Sequence, residues 1–492
     1  MPKFSICIPT RERHHTLPYA VASILAQTYD DFEVIVQDNA SSDETYKSLQ
    51  QFGDPRLKYC RSDRRLSMHA NWEAALDASS GEYVNYIGDD DALLPFCLER
   101  ANEILKLGNV ELLAWVAHTY YWPDVPDAPR RNHLSVDLRG GATWSKYVEP
   151  EAKTMDRSRF RPTLPPATMS LDCKQILKNW LRHDGARFYI PTYHSLVSRK
   201  VIDRVKEATG GKYFLNPLPD FGTLIANLYV SDELLFHTAP LSMTGHSRSS
   251  SGGTHGHQES WDHRLANFIE ESGWSKERLL PSVFRPFLWA PALLAGCFED
   301  VKRRLFPDDD RFAIDWGNFL ISAAAGVNAE PESIRETCKA WVLESADQIG
   351  LSRNKIKFPE IPPYERQVGT LRDPHDRVVY IFIDGDVLGL KTVTDAVNVA
   401  CTLDPINLYP VTFAPRWAQP EAAACVARTE GAGEKSTLLK RLWRETANYR
   451  HDLLKRGVRR SARVARDLNL YDLAARFCPP TIKRVVRMVF TA

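Results

Sequence analysis

The sequence predicts an α/β fold with a mostly parallel sheet flanked by helices in its first part, followed by a mainly helical region. Short apolar runs typical of buried strands lie at residues 4–10, 32–36, 57–60 and 83–87. Stretches with helical spacing separate them, at residues 16–27, 44–52 and 70–78. Such strand–helix alternation indicates a sheet whose strands run in one direction.

Polar loops follow three of these predicted strands. Pro9-Thr10-Arg11-Glu12 follows the first, Asp38-Asn39 the second, and Gly88-Asp89-Asp90-Asp91 the fourth. Ligands of such sheets bind at the carboxyl ends of the strands. The three loops are therefore expected to line one cleft.

The run Asp89-Asp90-Asp91 is the sharpest chemical signal in the chain. Adjacent carboxylates repel each other unless a cation or several hydrogen-bond donors lie among them. Hard divalent cations prefer oxygen ligands, and Mg²⁺ is commonly held by one or two carboxylates together with substrate phosphates. The run thus predicts a diphosphate bound through a metal ion. The alternative is a solvated acidic turn that caps a helix starting at Ala92.

Two blocks around these loops resemble glycosyltransferase family 2, whose members have the GT-A fold. The first is SICIPTRERHHTLPYAVASILAQTYDDFEVIVQDNASSDET, and the second is RSDRRLSMHANWEAALDASSGEYVNYIGDDDALLP. The resemblance is ordered over about 95 residues, weakens through the middle and is absent after about residue 260. It implies an inverting transfer of a sugar from a nucleoside diphosphate.

The resemblance also implies roles for individual residues. Asp38 would accept a hydrogen bond from the imide N–H of uracil or thymine, and Asp91 would ligate Mn²⁺ or Mg²⁺. Gly88 stands where many relatives have the first aspartate, which leaves open which two of the three carboxylates touch the metal. The remaining residues implied at the nucleotide are Pro9, Thr10, Arg11, Glu12, Asp89 and Asp90.

Two later segments contribute further candidates. Asp220 follows Pro-Leu-Pro before a helix, where the family's general base lies; the alternative is a helix N-cap, and Asp203 and Asp232 are rival bases. The Gly/Ser-rich stretch near residue 250 could close over the nucleotide, with Arg248 on the phosphates and His246 on the metal, or could be a linker.

The predicted organisation has four parts. Residues 1–260 form the GT-A domain, with a Pro-rich insertion near 120–170 that is either part of the acceptor side or a surface loop. Residues 261–370 are helical, 371–435 form a small α/β unit with a linker, and 436–492 form a basic helical tail. Strands near 378–383 and 408–413 would form a β-α-β unit, and Asp384 with Asp386 mimics a metal motif without a second nucleotide block nearby.

The tail has 14 Lys/Arg and 4 Asp/Glu after residue 435, with apolar residues on a helical period near its end. A basic amphipathic helix of this kind predicts peripheral contact with an anionic membrane; a solvated helix docked on the protein is the alternative. The tail lacks the interleaved aromatics that favour nucleic-acid binding. The stretch TEGAGEKST fails the P-loop spacing.

Composition is ordinary for a globular protein, with 43% hydrophobic and 25% charged residues and a net charge of +1. Nine scattered cysteines without metal-like spacing favour a reducing, cytoplasmic compartment. The basic tail adds the expectation of peripheral contact with the inner face of the membrane. The predicted function is a metal-dependent glycosyltransferase that moves a sugar, from UDP by preference, to a glycan or lipid-linked glycan in cell-surface polysaccharide assembly. The alternative is a catalytically silent protein that binds nucleotide sugars on the same fold.

Overall fold

We describe the protein from a computed structural model. It describes residues 1–106, 108–125, 134–137, 167–183, 193–250, 269–360, 368–372, 378–403, 412–414 and 426–429. The basic tail, most of the Pro-rich insertion and the stretch 251–268 lie outside these ranges, so the predictions made for them stay predictions.

The first part of the chain forms the predicted α/β layer. Strands β1 to β4 lie in the order β4-β1-β2-β3 and are all parallel. Their bounds, with those of the helices between them, are β1 Phe4–Thr10, α1 Leu17–Leu25, β2 Phe32–Asp38, α2 Asp43–Leu49, β3 Leu57–Arg61, α3 Met68–Asp77 and β4 Tyr83–Tyr86. The predicted α/β class with a parallel sheet and flanking helices is confirmed.

The alternation of side chains along β1 explains why this layer is buried on both faces. Phe4, Ile6 and Ile8 belong to the apolar core on one face of the sheet, whereas Cys7 belongs to the core on the other. Successive side chains of a strand point to opposite faces, so a continuous apolar run such as 4–8 needs cover on both. Helix α1 supplies that cover on one side and helix α3 on the other.

Later strands extend this sheet with mixed direction. Strand β9 pairs antiparallel with β4 and with β6, and the long β10 runs parallel to β6. The elements are β5 Ala92–Leu93, α4 Cys97–Leu105, β6 Leu112–Tyr121, β7 Leu134–Asp137, β8 Ala167–Asp172, α5 Cys173–Leu181, β9 Ser195–Ser198, α6 Arg199–Ala208, α7 Pro219–Val230 and β10 Glu233–His246.

The directions of β9 and β10 bring distant parts of the chain to the edge where β4 ends. Because β9 is antiparallel to β4, the residues before β9 lie beside the residues after β4. The last residue of β10, His246, pairs with Tyr121 at the end of β6, on the same edge. This edge therefore collects segments that are more than 150 residues apart, such as Asp91 and Gly245, which share a hydrogen bond.

One alternative for the aspartate run is wrong. No helix begins at Ala92; residues 92–93 form the short strand β5, which pairs antiparallel with Ser242 and Met243 of β10. The acidic run therefore leads from one strand into another and lies inside the sheet edge.

The predicted helical region is confirmed over the residues described between 269 and 360. Its helices are α8 Lys276–Leu279, α9 Ala290–Leu305, α10 Trp316–Gly326 and α11 Glu332–Gln348. They share a core of their own, in which Trp341 contacts Phe284 and Phe319 edge-on. Helix α9 packs against α7 of the first domain, so the helical region is docked on the helix that carries Asp220.

The strands predicted to form a small unit after residue 371 pair with strands of the large sheet in the described residues. Strand β12 pairs antiparallel with β7 and β13 pairs with β8, so both join the large sheet and do not pair with each other. The elements here are β11 Gly369–Arg372, β12 Val378–Ile383, α12 Gly385–Leu388, α13 Val393–Leu403, β13 Thr412–Ala414 and β14 Val426–Thr429. Asp384 is the N-cap of α12, and its side chain accepts a hydrogen bond from the Asp386 N–H.

Helix α13 packs against the residues that follow the aspartate run. Its residues Val393, Val397 and Ala400 share a core with Ala92 and Leu94, which directly follow the aspartate run. Within the ranges that the structure describes, no helix combines the length and the apolar character required to span a bilayer.

Candidate active site

Asp89 opens the acidic run and is almost fully buried. Its Oδ2 accepts a hydrogen bond from Thr10 Oγ1 at 2.7 Å, which ties the end of β4 to the end of β1. The guanidinium of Arg13 lies 3.7 Å from its Oδ1. Burial raises the pKa of Asp89 to about 6, against the lowering influence of Arg13.

Asp90 is held by the segment that follows β10. Its Oδ2 accepts from the Ser247 N–H at 3.1 Å and from Ser247 Oγ at 2.6 Å. Its backbone carbonyl accepts from Trp122 Nε1 at 3.0 Å. A Cβ on Gly245 would lie 1.8 Å from that carbonyl oxygen, so only glycine permits β10 to pass this close.

Asp91 is the most buried of the three, with 1% of its surface exposed. Its Oδ1 accepts from the Gly245 N–H at 2.6 Å, its Oδ2 from the Gly88 N–H at 2.9 Å, and the Tyr193 hydroxyl also donates to it. Burial and the neighbouring charge of Asp90 raise the pKa of Asp91 well above its usual range. Gly88 is therefore part of the carboxylate's hydrogen-bonding shell, not merely a missing aspartate.

His194 lies beside Asp91, with 3.9 Å between its Nε2 and Asp91 Oδ2. Its Nδ1 and Nε2 are each 2.9 Å from a hydroxyl, of Ser242 and Thr244 respectively. Burial lowers the pKa of His194 to about 4, so the ring is neutral at physiological pH and does not form an ion pair with Asp91.

The predicted Pro9-Thr10-Arg11-Glu12 loop divides into different roles. Thr10 contacts the acidic run as described, and Pro9 precedes it in β1. Arg11 instead forms a bidentate pair with Glu271 of the helical region, at 2.8 and 2.7 Å. Glu12, with a φ of 56°, accepts from the N–H and hydroxyl of Ser42 at the start of α2.

Arg13, which no sequence motif singled out, is the cation beside the acidic run. It contacts Asp89, donates to Ser247 Oγ at 3.4 Å and donates to the Ser249 carbonyl. It therefore bridges the β1 loop, the acidic run and the segment after β10. Nothing in the spacing of Arg11, Glu12 and Arg13 distinguishes which of the two arginines faces the cleft.

Asp38 lies fully buried at the end of β2. Its Oδ1 accepts from the Ser41 N–H at 3.0 Å and its Oδ2 from the Tyr59 hydroxyl at 2.5 Å. A carboxylate has about four lone-pair sites, so a base N–H would add a further hydrogen bond to one of these oxygens.

Residues 247–250 of the predicted closing segment lie beside the acidic run, and residues 251–268 lie outside the described ranges, so closure over the nucleotide stays a prediction. His246 stacks on Tyr121 with 4.6 Å between ring centroids, and the backbone N–H of the exposed Arg248 donates to Asp124 at 3.2 Å. Ser247, between these two residues, contacts the acidic run directly through Asp90.

Asp220 lies in the first turn of α7, whose N-cap residue is Leu218, so the alternative of an N-cap is wrong. The charge of Asp220 is among the influences that raise the pKa of the buried Cys297 thiol on α9. Its rival Asp232 is exposed at the opposite end of β10 from His246. Asp203 lies on α6, which follows the end of β9 that pairs with the start of β4.

The donor set of the acidic run fits a hard divalent cation. Three carboxylates lie together, and among the described residues Arg13 is the one Lys or Arg within 4.0 Å of them, beside Asp89. The raised pKa values of Asp89 and Asp91 show that burial makes their charged forms costly without further positive charge. Among the described residues, no three Asp, Glu, His or Cys side chains already surround a common metal position.

A parallel sheet with a buried acidic run at its carboxyl edge, faced by Arg13 and a Ser/Gly segment, is typical of a transferase domain that binds nucleotide sugars. The sequence model of glycosyl transferase family 2 matches residues 5–162. This part of the chain is therefore a glycosyl transferase family 2 domain, as the resemblance implied.

Curated relatives of this domain are glycosyltransferases. The chain is 39% identical over 110 residues to the GalNAc(5)-diNAcBac-PP-undecaprenol beta-1,3-glucosyltransferase of Campylobacter jejuni, covering 21% of this chain and 36% of that protein. It is 28% identical over 109 residues to the UDP-Glc:alpha-D-GlcNAc-diphosphoundecaprenol beta-1,3-glucosyltransferase WfgD of Escherichia coli, covering 22% of this chain and 43% of that protein. The chain thus spans less than half of either relative.

A solved structure of S. aureus TarS residues 1–349 with UDP-GlcNAc also resembles the chain. It is 13% identical, covers 74% of this chain and 99% of that chain, and has a TM-score of 0.35. This value indicates only a distant overall resemblance.

Proposed function

We propose that the chain is an inverting, metal-dependent glycosyltransferase that moves a sugar from a nucleoside diphosphate, UDP by preference, to an acceptor hydroxyl. The observation that carries the proposal is the buried run Asp89–Asp91. It accepts hydrogen bonds from Thr10 at the end of β1, from Gly245 of β10 and from Ser247 just after β10. Its position within a glycosyl transferase family 2 domain supports the assignment.

Asp91, together with Asp89 or Asp90, would hold Mn²⁺ or Mg²⁺, which, when bound, stabilises the negative charge of the departing diphosphate. Arg13 contacts both Asp89 and residues 247–249, and its guanidinium and the backbone of that segment would contact the phosphates. Asp38 would accept from the imide N–H of the base. Arg248 and His246 stay candidates for the closing segment.

Asp220 would be the general base. A carboxylate on the acceptor side removes the proton of the attacking hydroxyl while the bond to the diphosphate breaks on the opposite face of the sugar. Direct displacement in this arrangement inverts the anomeric carbon. The exposure of Asp232, and the position of Asp203 near the far edge of the sheet, favour Asp220.

The acceptor is proposed to be a glycan, free or linked to a lipid, in cell-surface polysaccharide assembly. Both curated relatives are named for acceptors on diphosphoundecaprenol, which supports a lipid-linked substrate. A cytoplasmic protein that touches the inner membrane face through its basic residues 436–492 would suit such an acceptor. Vesicle flotation of the full chain against a chain ending at residue 435 tests this contact; equal recovery of both with anionic vesicles would exclude the tail as anchor.

The experiment that tests the activity is a thermal-shift panel of nucleotide sugars with and without Mn²⁺, followed by transfer assays with the best donor. We expect a stabilising shift with a UDP-sugar that EDTA removes. Tighter calorimetric binding of GDP than of UDP would contradict the role given to Asp38. Metal-dependent binding without any transfer or donor hydrolysis would favour the silent binding protein.

A further inference from the structure

A group of cationic and aromatic side chains lies outside the acidic site, between the helical region and α3. The Arg278 guanidinium stacks on the Trp274 ring with 3.5 Å from its carbon to the ring centroid, and the Arg304 guanidinium lies 5.2 Å from the same centroid. The His69 ring on α3 meets Trp274 edge-on at 6.2 Å. We call Trp274, Arg278 and Arg304 the Arg–Trp cluster.

The cluster carries positive charge that its surroundings do not balance. The buried Asp300 accepts from Arg303 at 2.9 Å and from Arg304 Nε at 3.1 Å, so one carboxylate serves two guanidiniums. Within the described part of the chain, the Arg278 guanidinium donates no hydrogen bond and has no carboxylate within 4.0 Å; its backbone N–H donates to the Ser275 carbonyl, and Asp300 is the nearby carboxylate that acts on its charge. Burial and the charge of Arg304 lower the pKa of Arg278, as expected for like charges held together.

The cluster borders a small cavity next to the start of α7, the helix that carries Asp220. Asn216, Leu218, Cys297 and Asp300 line this cavity together with Trp274 and Arg278. Asn216 is fully buried, and its Oδ1 accepts no hydrogen bond from the described residues. An amide oxygen accepts and cannot donate, so this atom suits a hydroxyl of a ligand, and the contacts to a phosphate are left to the two guanidiniums. Leu218, whose carbonyl accepts from Cys297 Sγ, is two residues before Asp220.

Helix α3 connects the cluster to the acidic site. His69 and Trp72 are three residues apart and therefore share one face of the helix. Trp72 stacks on Tyr193 at 5.8 Å, and the Tyr193 hydroxyl donates to Asp91. His69 lies beside the cluster, and Trp72 contacts the acidic run through Tyr193. About one helical turn, a rise of about 5 Å, separates the two residues.

We propose that the Arg–Trp cluster binds a phosphoryl group of the acceptor. Guanidinium groups bind phosphate through paired hydrogen bonds. The two positive charges of Arg278 and Arg304 match the charge of a doubly ionised phosphate. The indole keeps the Arg278 fork in place and offers a flat apolar edge to the sugar or lipid next to the phosphate. This inference rests on the proposed function and specifies its acceptor as one that carries phosphate.

The first test measures binding of inorganic pyrophosphate to the full chain by calorimetry, with UDP present to fill the donor site. Arg278→Gln should weaken binding roughly tenfold or more, because a charge-assisted pair is lost. Arg285→Gln is the matched control, since Arg285 is an exposed arginine of the same region paired with Glu344 at 3.3 Å. Equal affinity in Arg278→Gln and the parent chain would overturn the proposal, whether or not any transfer activity is found.

The second test separates an acceptor phosphate from a membrane headgroup. Flotation is compared between phosphatidylcholine vesicles containing polyprenyl diphosphate and those containing phosphatidylglycerol. Loss of binding in Arg278→Gln only with polyprenyl diphosphate supports the acceptor site; an equal loss with phosphatidylglycerol would assign the cluster to general membrane contact and overturn it. In transfer assays, Arg278→Gln should raise KM for a phosphate-bearing acceptor roughly tenfold but leave KM for its phosphate-free form and for the donor unchanged. Lost transfer with intact pyrophosphate binding would instead contradict the proposed activity.

Discussion

Two runs of three aspartates occur in this chain, and the structure treats them in opposite ways. Asp89-Asp90-Asp91 follows a strand, is buried and has raised pKa values at Asp89 and Asp91. Asp308-Asp309-Asp310 follows a helix and lies at the surface, where hydrogen bonds from Arg311 lower the pKa of Asp309 to about 2.

The difference shows that three consecutive aspartates do not by themselves determine what an acidic run can do; the element that precedes them does. The second run has solvent and Arg311 to compensate its charge, so it needs no further cation. The first run has backbone N–H groups, hydroxyls and one nearby arginine, which leaves it ready for a ligand that brings positive charge. The end of a buried parallel strand makes the difference.

The largest contrast is expected from removing one carboxylate of each run. Asp91→Ala should lower transfer by more than ~10²-fold, because even outer-shell partners of metal sites are worth about 10–100-fold. Asp310→Ala should leave transfer unchanged. The measurement is the initial rate of sugar transfer, with circular dichroism to verify the fold. Full activity of Asp91→Ala, or of the parent chain in excess EDTA, would remove the metal role.

A second test asks whether the buried run acts alone. Asp220→Asn keeps the shape of the side chain but removes the proton acceptor, so kcat should fall ~10²–10⁴-fold while UDP binding persists. The control is Asp232→Asn, an exposed aspartate near Lys174 at the far end of β10. Near-normal turnover in Asp220→Asn together with a loss in Asp232→Asn would reverse the assignment.

A third test probes the packing that distinguishes the buried run. Gly245→Ala places a methyl group against the Asp90 carbonyl and should lower the free energy of unfolding by about 1–3 kcal/mol and weaken UDP binding. Gly326, at the end of α10, has no atom within 4 Å of an added Cβ. Gly326→Ala should therefore be neutral or stabilise by up to about 1 kcal/mol in urea unfolding. Equal effects of the two substitutions would show that β10 does not press on the run.

The smallest expected effect is a pH dependence. The folded pKa of Asp89, about 6, exceeds the unfolded value of 3.8, so the metal-free native state binds more protons between these values and loses stability as pH rises through them. Asp89→Asn removes this loss, so the variant should gain on the parent by on the order of 1–3 kcal/mol from pH 4 to 7 in urea unfolding. Asp309→Asn should show no such gain, since the lowered pKa of Asp309 has the opposite sign. A constant difference between parent and Asp89→Asn would contradict the raised pKa.

The sequence was sufficient for the parallel part of the fold and for the acidic run, because both follow from local patterns. The strand bounds predicted for β1 to β4 differ from the observed bounds by at most two residues. The polar residues at the strand ends correctly predicted that Thr10 lies close to the acidic run. The family resemblance added the expected nucleotide and base residues.

The partners of the acidic run could not be predicted in the same way. Gly245 and Ser247 are brought in by β10 and Tyr193 by the turn before β9, both through long-range strand pairing. His194 carries a φ of 51°, a conformation that nothing in its sequence neighbours indicates. The two strands after residue 371 were assigned to a separate unit because only the sheet itself reveals which strand each one joins.

The packing of α13 against Ala92 and Leu94 has a consequence for synthesis of the protein on the ribosome. The aspartate run emerges early, but the apolar cover behind it is encoded some 300 residues later, at Val393, Val397 and Ala400. At roughly 5–20 residues per second, the nascent first domain would wait ~15–60 s with that apolar surface uncovered. A chain cut near residue 260 would keep the surface exposed permanently, so chaperone binding and aggregation of such a fragment are expected even though the family domain is intact.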